Sequence, residues 1–244
     1  MAKDKNGTIP RREFLKVASA AGVAGAAFNT GLPSPAEAQG GAHSGAAAPQ
    51  AAPEARLILT DSEAAFLTAA ADTIIPADEL SPAGSECGVV TFIDRQLASA
   101  WGGGARVYRS GPFEQGTPEQ GYQLPLTPRD FFAAGIAAVN EWSKKTYGKD
   151  FERLTPTQRA EALKTMEEGK AQFVGFDSRV FFQRLLTINM EGFFSDPIYG
   201  GNRNKASWRM LQFPGLPATY ADKIDEYRNK RYIAEPQSIE DFSS

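Results

Sequence analysis

The sequence has little of the side-chain chemistry on which many enzymes and cofactor sites depend, with one cysteine and one histidine in 244 residues. A single cysteine excludes an internal disulfide, a cysteine-rich zinc site, a thiolate-bound iron–sulfur cluster and the C-x-x-C-H haem-attachment motif. The histidine, His43, lies in a stretch of Ala, Gly and Pro. The body of the chain therefore has no imidazole for Ser-His-Asp chemistry, metal binding or proton abstraction. We predict no catalytic, cofactor-binding or metal-binding residue in it.

The charge balance also excludes a class of partner. Lys and Arg number 26 against 29 Asp and Glu, which gives a net charge of −3 and no basic excess of the kind that nucleic-acid binding requires. The hydrophobic content of 42% is well above that of a disordered chain. We therefore expect a folded protein with no nucleic-acid partner.

The first residues have the pattern of an export signal. Arg11-Arg12-Glu13-Phe14-Leu15-Lys16 precedes a mild Ala/Gly/Val run from Val17 to Phe28, and Ala36-Glu37-Ala38 follows. A basic segment, a short apolar segment and a small-x-small site are typical of a secretory signal, and the adjacent arginines with Phe14 and Leu15 resemble a twin-arginine signal. The apolar run is shorter than the roughly 20 residues that span a bilayer. We expect a signal peptide over 1–38 with Ala36 and Ala38 as the candidate cleavage site, and an uncleaved signal stays open.

The segment over 39–55 is dominated by Ala, Gly, Pro and Gln, a composition that predicts a flexible linker. A helical domain is expected over 56–235 and an acidic, frayed tail over 236–244. His43 is interpreted as a solvated linker residue, and Cys87 as a small buried hydrophobe.

Periodicity and capping residues predict an all-α domain of about six helices with long irregular loops. Apolar residues recur at steps of three and four, Thr-Pro pairs stand at helix starts, and no run alternates with period two. The expected helices are Asp61 to Ile75, Ser85 to Trp101, Thr127 to about Trp142, Thr155 to Gly169, a central helix capped by Asp177, and a polar helix over 217–232, with a short return to helix near Trp208.

A stretch without regular period separates the second and third helices, over 105–126. It contains two Pro-Gly neighbourhoods and few aliphatic residues. Loops of this length are usually either functional or disordered. A lid, a docking arm and a mobile surface loop all remain open.

The stretch after the central helix is irregular and specific in its sequence. Gly192-Phe193-Phe194-Ser195-Asp196-Pro197-Ile198-Tyr199-Gly200-Gly201-Asn202 is followed by Trp208 and by Phe213-Pro214-Gly215. This signature resembles the gluconate 2-dehydrogenase subunit 3 family, as does Ala71-Asp72-Thr73-Ile74-Ile75-Pro76. Ser207 and Gln212 stand where that family more often has Gly.

The resemblance implies a non-catalytic small subunit. In that family a large flavoprotein of the glucose-methanol-choline oxidoreductase type holds FAD, and a multihaem cytochrome c carrying haem c commonly takes the electrons. The small subunit is thought to assist maturation of the large one and to carry it through the twin-arginine translocase. Such a complex is expected in the periplasm, or attached to the inner membrane through the cytochrome.

Residues of the signature are candidates for an internal structural role or for the subunit interface: Asp196, Pro197, Tyr199, Gly200, Gly201, Asn202, Trp208, Pro214 and Gly215. An obligate interface uses apolar anchors, so an exposed aromatic patch is expected from 105–126 or from Phe193 and Phe194.

Two other classes of function stay open. Glu191 and Asp196 would be the carboxylate pair of a glycoside hydrolase if both lay at the bottom of one cleft. The other alternative is an independent periplasmic sugar-binding module, in which exposed aromatic side chains would stack on sugar rings. The candidates are Trp101, Tyr108 and Trp142, although helical spacing favours a core position for Trp142.

Overall fold

The computed structural model describes residues 55–114, 116–117, 120–175, 177–217 and 219–242. Within these ranges it contains six α-helices and no β-strand, so the all-α expectation is confirmed for that part of the chain. The helices are α1 Asp61–Ile74, α2 Val89–Ala98, α3 Pro128–Tyr147, α4 Pro156–Glu167, α5 Ser178–Phe194 and α6 Ala206–Leu211.

Local capping sets three of the helix starts where the sequence predicts them. Thr60 and Glu63 form a capping box at α1, and Thr155 and Gln158 form a second one at α4. The Thr127 hydroxyl accepts a hydrogen bond from the Asp130 amide at the start of α3. Pro occupies the first helical position of α3 and α4, where its fixed φ suits the helix. Its missing N–H costs nothing there, because an N–H at that position has no acceptor within the helix.

Aromatic side chains fill the centre of the helical body. The Phe66 ring of α1 lies 4.9 Å from Phe151 and 6.4 Å from Phe181 of α5, and Phe131 of α3 lies 6.0 Å from Phe181. All four side chains are buried. The helix α5 also packs against α2 and α4, so the predicted central helix occupies the centre of the core.

The backbone leading into α1 is bound by a buried carboxylate. Asp94 of α2 accepts hydrogen bonds from the amides of Leu57, Ile58 and Leu59 at 2.6, 3.0 and 2.9 Å. A buried charge is tolerated where it is hydrogen-bonded in this way. This contact fixes residues 57–59 against α2.

Two helix predictions are wrong. The helix α2 ends at Ala98, so Trp101 lies beyond it and is 41% exposed instead of joining the apolar stripe. No α-helix forms within the described part of 217–232, where a 3₁₀ turn at Ala221–Lys223 is followed by turns. A helix with so few apolar residues lacks a face to pack, and packing supplies most helical stability in proteins.

The last residues are also not a frayed end. Pro236 and Ser238 are buried, and a 3₁₀ turn forms at Ile239–Phe242. Gln237 forms an isolated parallel β-bridge with Gly215. The tail is therefore attached to the body by its backbone.

The end of the stretch over 105–126 is fixed on the core. The ring of Tyr122 stacks on Phe131 with a centroid distance of 4.3 Å, and the Arg184 guanidinium lies over the Tyr122 ring at 5.7 Å from its centroid. Burial raises the pKa of the Tyr122 hydroxyl.

Among the described helices, none has the length and apolarity that a membrane crossing requires.

Candidate functional site

The residues that follow α5 complete the carbonyl end of that helix. The last carbonyls of a helix have no partner within the helix. Here the Trp208 indole nitrogen donates to the Phe194 carbonyl at 3.0 Å, and the Asn202 amide nitrogen donates to the Ser195 carbonyl at 3.0 Å. The Ser195 hydroxyl donates to the Gly192 carbonyl at 3.1 Å. The segment over 195–205, called the motif loop below, is thus built around the end of the central helix.

Asn202 is the centre of the motif loop. Its side chain is fully buried, and its Oδ1 accepts hydrogen bonds from the Ser207 amide and hydroxyl at 2.9 and 2.8 Å. With its Nδ2 bond to Ser195, it joins the end of α5 to the start of α6. Ser207, which stands where the resembling family more often has Gly, is buried and uses its hydroxyl in this network.

Asp196 binds two separate parts of the backbone. Its Oδ1 accepts from the Ile198 amide at 3.0 Å, which caps the 3₁₀ turn Pro197–Tyr199. Its Oδ2 accepts from the Ile239 amide at 2.9 Å, forty-three positions away. The carboxylate therefore serves its own turn and the C-terminal residues at the same time.

Glycine at position 201 allows the motif loop to touch α5. A Cβ there would lie 2.0 Å from the Gly192 carbonyl oxygen, which real side chains never approach so closely. Gln212, the second departure from the resembling sequence, has φ of 56° in the left-handed region that favours Gly.

Two arginines attach the motif loop to α2. Arg95 of α2 donates to the Ile198 carbonyl at 3.1 Å. The Arg203 amide donates to the Cys87 carbonyl at 2.9 Å, and its guanidinium donates to the Thr91 hydroxyl at 3.1 Å. The loop is held on three sides, by α5, α6 and α2.

Some residues that the sequence places on the exposed surface of the motif are buried in the structure. Phe193 is 3% exposed and belongs to the core, so its predicted place in an exposed aromatic patch is wrong. Trp208 is buried against Phe213, whose own ring is exposed. Tyr199 is 51% exposed at the tip of the loop, and Tyr108 of the stretch over 105–126 is 69% exposed.

Of the two carboxylates considered for hydrolysis, Asp196 does not have the environment of a catalytic group. Both oxygens of Asp196 accept backbone hydrogen bonds. Desolvation raises the pKa of Glu191, and the positive charge of Arg184 partly opposes the shift. Among the aromatic candidates for sugar stacking, Trp142 packs against Tyr147 and Phe173 at 5.8 and 6.4 Å.

The comparison with protein families decides the relationship. The model of gluconate 2-dehydrogenase subunit 3 matches residues 61–215, which is more than half of the chain and ends at the Gly of Phe213-Pro214-Gly215. The chain belongs to the gluconate 2-dehydrogenase subunit 3 family. It is therefore a subunit of an oxidoreductase complex. Searches of curated proteins and of solved structures returned no match.

The matched residues of this family member contain the whole motif loop and the helices that hold it. The predicted export-signal, cleavage and linker residues lie outside the described residues: Arg11, Arg12, Phe14, Leu15, Ala36, Ala38 and His43. Across the described part of the chain, no group of three or more His, Cys, Asp or Glu is placed to hold a metal ion.

Sequence reasoning missed three polar residues that organise the site. Asp94 binds the entry to α1, Lys205 pairs with Asp241, and Arg95 binds the motif loop. Each partner is distant in sequence, so neither periodicity nor capping patterns point to it. The one local signal was an acidic residue at helical spacing from an apolar one, since Asp94 stands three positions before Leu97.

Proposed function

We propose that this chain is the non-catalytic small subunit of a periplasmic FAD-dependent sugar or sugar-acid dehydrogenase complex, and that it supports the maturation and twin-arginine export of the large flavoprotein subunit. The observation that carries the proposal is the family match over 61–215. The twin-arginine pattern at Arg11-Arg12 supports the export role.

The chemistry of the motif loop agrees with a non-catalytic role. The polar atoms of Asp196, Asn202 and Trp208 are bonded to backbone or side-chain groups of the same chain. Groups bonded in this way stabilise the conformation of the loop, whereas a catalytic acid, base or nucleophile must be able to contact the substrate. FAD in the large subunit, of the glucose-methanol-choline type, would supply the redox chemistry, and haem c in a multihaem cytochrome would take the electrons.

The proposed mechanism is differential binding. A small subunit that binds only the folded large subunit stabilises that state by mass action. A permanent complex of this kind buries roughly 2,000 Å² or more. The leader of the small subunit then directs both chains to the twin-arginine translocase, and the complex resides in the periplasm or at the inner membrane through the cytochrome.

Each of the two alternative functions lacks a residue that it requires in the described geometry. A glycoside hydrolase needs two carboxyl groups with access to the sugar, and Asp196 is committed to backbone amides. A sugar-binding module would need its aromatic residues free; Trp101 and Tyr108 are exposed, but Trp142 is packed among other rings.

The export role is tested by replacing Arg11 and Arg12 with Lys in cells that express both subunits. We expect both subunits to remain in the cytoplasm, because the translocase recognises the arginine pair and the large subunit travels with the small one. Immunoblots of cytoplasmic and periplasmic fractions give the readout. The matched control replaces Lys3 and Lys5 with Arg, which alters two basic leader residues outside the pair.

A flavoprotein that reaches the periplasm while its small subunit stays behind would contradict the export role. Copurification from the periplasm tests the subunit role independently. We expect a larger partner with flavin absorbance. A lone colourless protein, or an isolated small subunit that oxidises a sugar, counts against it.

A further inference from the structure

The Phe213-Pro214-Gly215 turn pairs with a distant segment through its backbone. The Leu216 amide donates to the Gln237 carbonyl at 2.8 Å, and the Gln237 amide donates to the Pro214 carbonyl at 3.0 Å. Gly215 has φ of 72°, and a Cβ there would lie 2.0 Å from the Gln237 oxygen and 2.8 Å from the Trp208 ring. Only Gly at position 215 therefore leaves room for the neighbouring backbone.

Two charged side chains extend this contact along residues 235–242, called the C-terminal segment below. The Asp196 carboxylate accepts from the Ile239 amide at 2.9 Å, and the Lys205 ammonium pairs with the Asp241 carboxylate. Asp241 also accepts from the Ser238 amide at 2.7 Å, which fixes the turn at its end. Pro214, Asp196 and Lys205 belong to the region that the family model matches, whereas the C-terminal segment lies beyond it.

The C-terminal segment is held mainly by polar contacts, with Pro236 and Ser238 as its buried residues. The hydrophobic core includes no described residue of 216–242. The side chains of Ile239 and Phe242 are exposed, and the connection from Leu216 contains only a 3₁₀ turn at Ala221–Lys223 among its described residues. Segments with few buried apolar contacts open locally while the core stays folded.

We propose that the edge formed by Pro214–Leu216, with Asp196 and Lys205, is a binding site for a peptide that pairs through its backbone at one residue and then turns, and that the C-terminal segment is its displaceable resident. Main-chain pairing of this kind gives affinity, and side chains at fixed offsets give selectivity. The site takes a peptide with a backbone pair at one residue, an amide two residues later that donates to Asp196, and a carboxylate four residues later that a turn brings to Lys205. This inference does not rest on the proposed function.

The test removes the segment and returns it as a separate molecule. A chain that ends at Ala234 should fold with its core intact, and its Leu216 amide should exchange hydrogen faster because its acceptor is gone. A synthetic peptide with the sequence of residues 235–242 should restore the protection at Leu216. A peptide carrying Asp241→Asn should bind roughly twofold to fivefold more weakly, as expected for loss of one exposed ion pair.

Three outcomes would overturn the proposal. One is a truncated chain that fails to fold, which would make the segment part of the core structure. The others are unchanged exchange at Leu216 after truncation, and a peptide that does not restore protection at millimolar concentration.

The full-length chain provides a second measurement. Asp241→Asn should raise exchange at Gln237 and Ile239 by about twofold to fivefold. Glu240→Gln, which removes a neighbouring exposed charge, should leave both amides unchanged. Equal effects of the two substitutions contradict the role of Lys205 in the site.

Discussion

Asp94 shows how one buried charge determines the path of a distant segment. Its carboxylate binds three consecutive amides that lie at the start of the predicted helical domain, just after the predicted flexible linker. We predict that Asp94→Ala lowers the free energy of unfolding by about 2 to 4 kcal/mol, because it removes the acceptor of three amides, of which that of Leu59 is buried. Chemical denaturation monitored by circular dichroism measures the change.

Asp72 offers a matched control for that substitution. Its carboxylate accepts one amide, that of Ser85, at 2.9 Å. Asp72→Ala should cost only about 0.5 to 1.5 kcal/mol, the usual net value of one hydrogen bond. Equal losses at the two positions would show that the carboxylate of Asp94 has no special role.

Asn202 and Asn204 separate hydrogen bonding from backbone conformation. Both have left-handed φ, at 45° and 56°, but Asn202 is fully buried and Asn204 is exposed. We predict that Asn202→Ala destabilises the protein by about 2 to 4 kcal/mol, whereas Asn204→Ala costs about 1 kcal/mol or less. Thermal or urea unfolding of both variants gives the comparison. Similar losses would mean that left-handed strain, and not the hydrogen-bond network, explains Asn202.

At the scale of elements, the sequence predicts helices wherever the determining interactions are local. The boxes at Thr60 and Thr155 act over three residues, so a capping pattern read from the chain places α1 and α4 correctly. The same reasoning fails for 217–232, because a helix there depends on packing that the sequence does not display. Trp101 lies past the end of α2, since the chain turns at Ser99 before the apolar stripe is complete.

Contacts between elements explain the rest of what the sequence could not predict. Gly135 of α3 looks like a poor helix residue, yet a Cβ there would lie 2.1 Å from the Phe181 ring of α5. For the motif loop, the turn at Asp196-Pro197 follows from residue type. The second bond of Asp196, to Ile239, could not be predicted because its partner is brought close only by the tertiary fold.

Across the whole molecule, the helical core and the C-terminal segment should respond differently to acid. The hydrogen bond from Lys205 holds the pKa of Asp241 below the ordinary range of an aspartate. A lowered native pKa contributes stability that is present above the unfolded pKa and is lost as pH falls through the native value. We therefore predict that protection of the Gln237 and Ile239 amides, corrected for intrinsic exchange, declines as pH falls below about 4.

The carboxylate of Glu191 in helix α5 should not contribute to this loss of protection at low pH. Desolvation raises the pKa of Glu191, so the native state favours its protonated form and the contribution of Glu191 to stability increases as pH falls through that raised value. Hydrogen exchange of the C-terminal segment and of α5, measured in one acid titration, compares the two signs directly. In Asp241→Asn the pH dependence at Gln237 and Ile239 should weaken, because the group that titrates has been removed. If the variant keeps the full pH dependence of the original chain, another carboxylate controls the segment and the pairing of Lys205 with Asp241 does not.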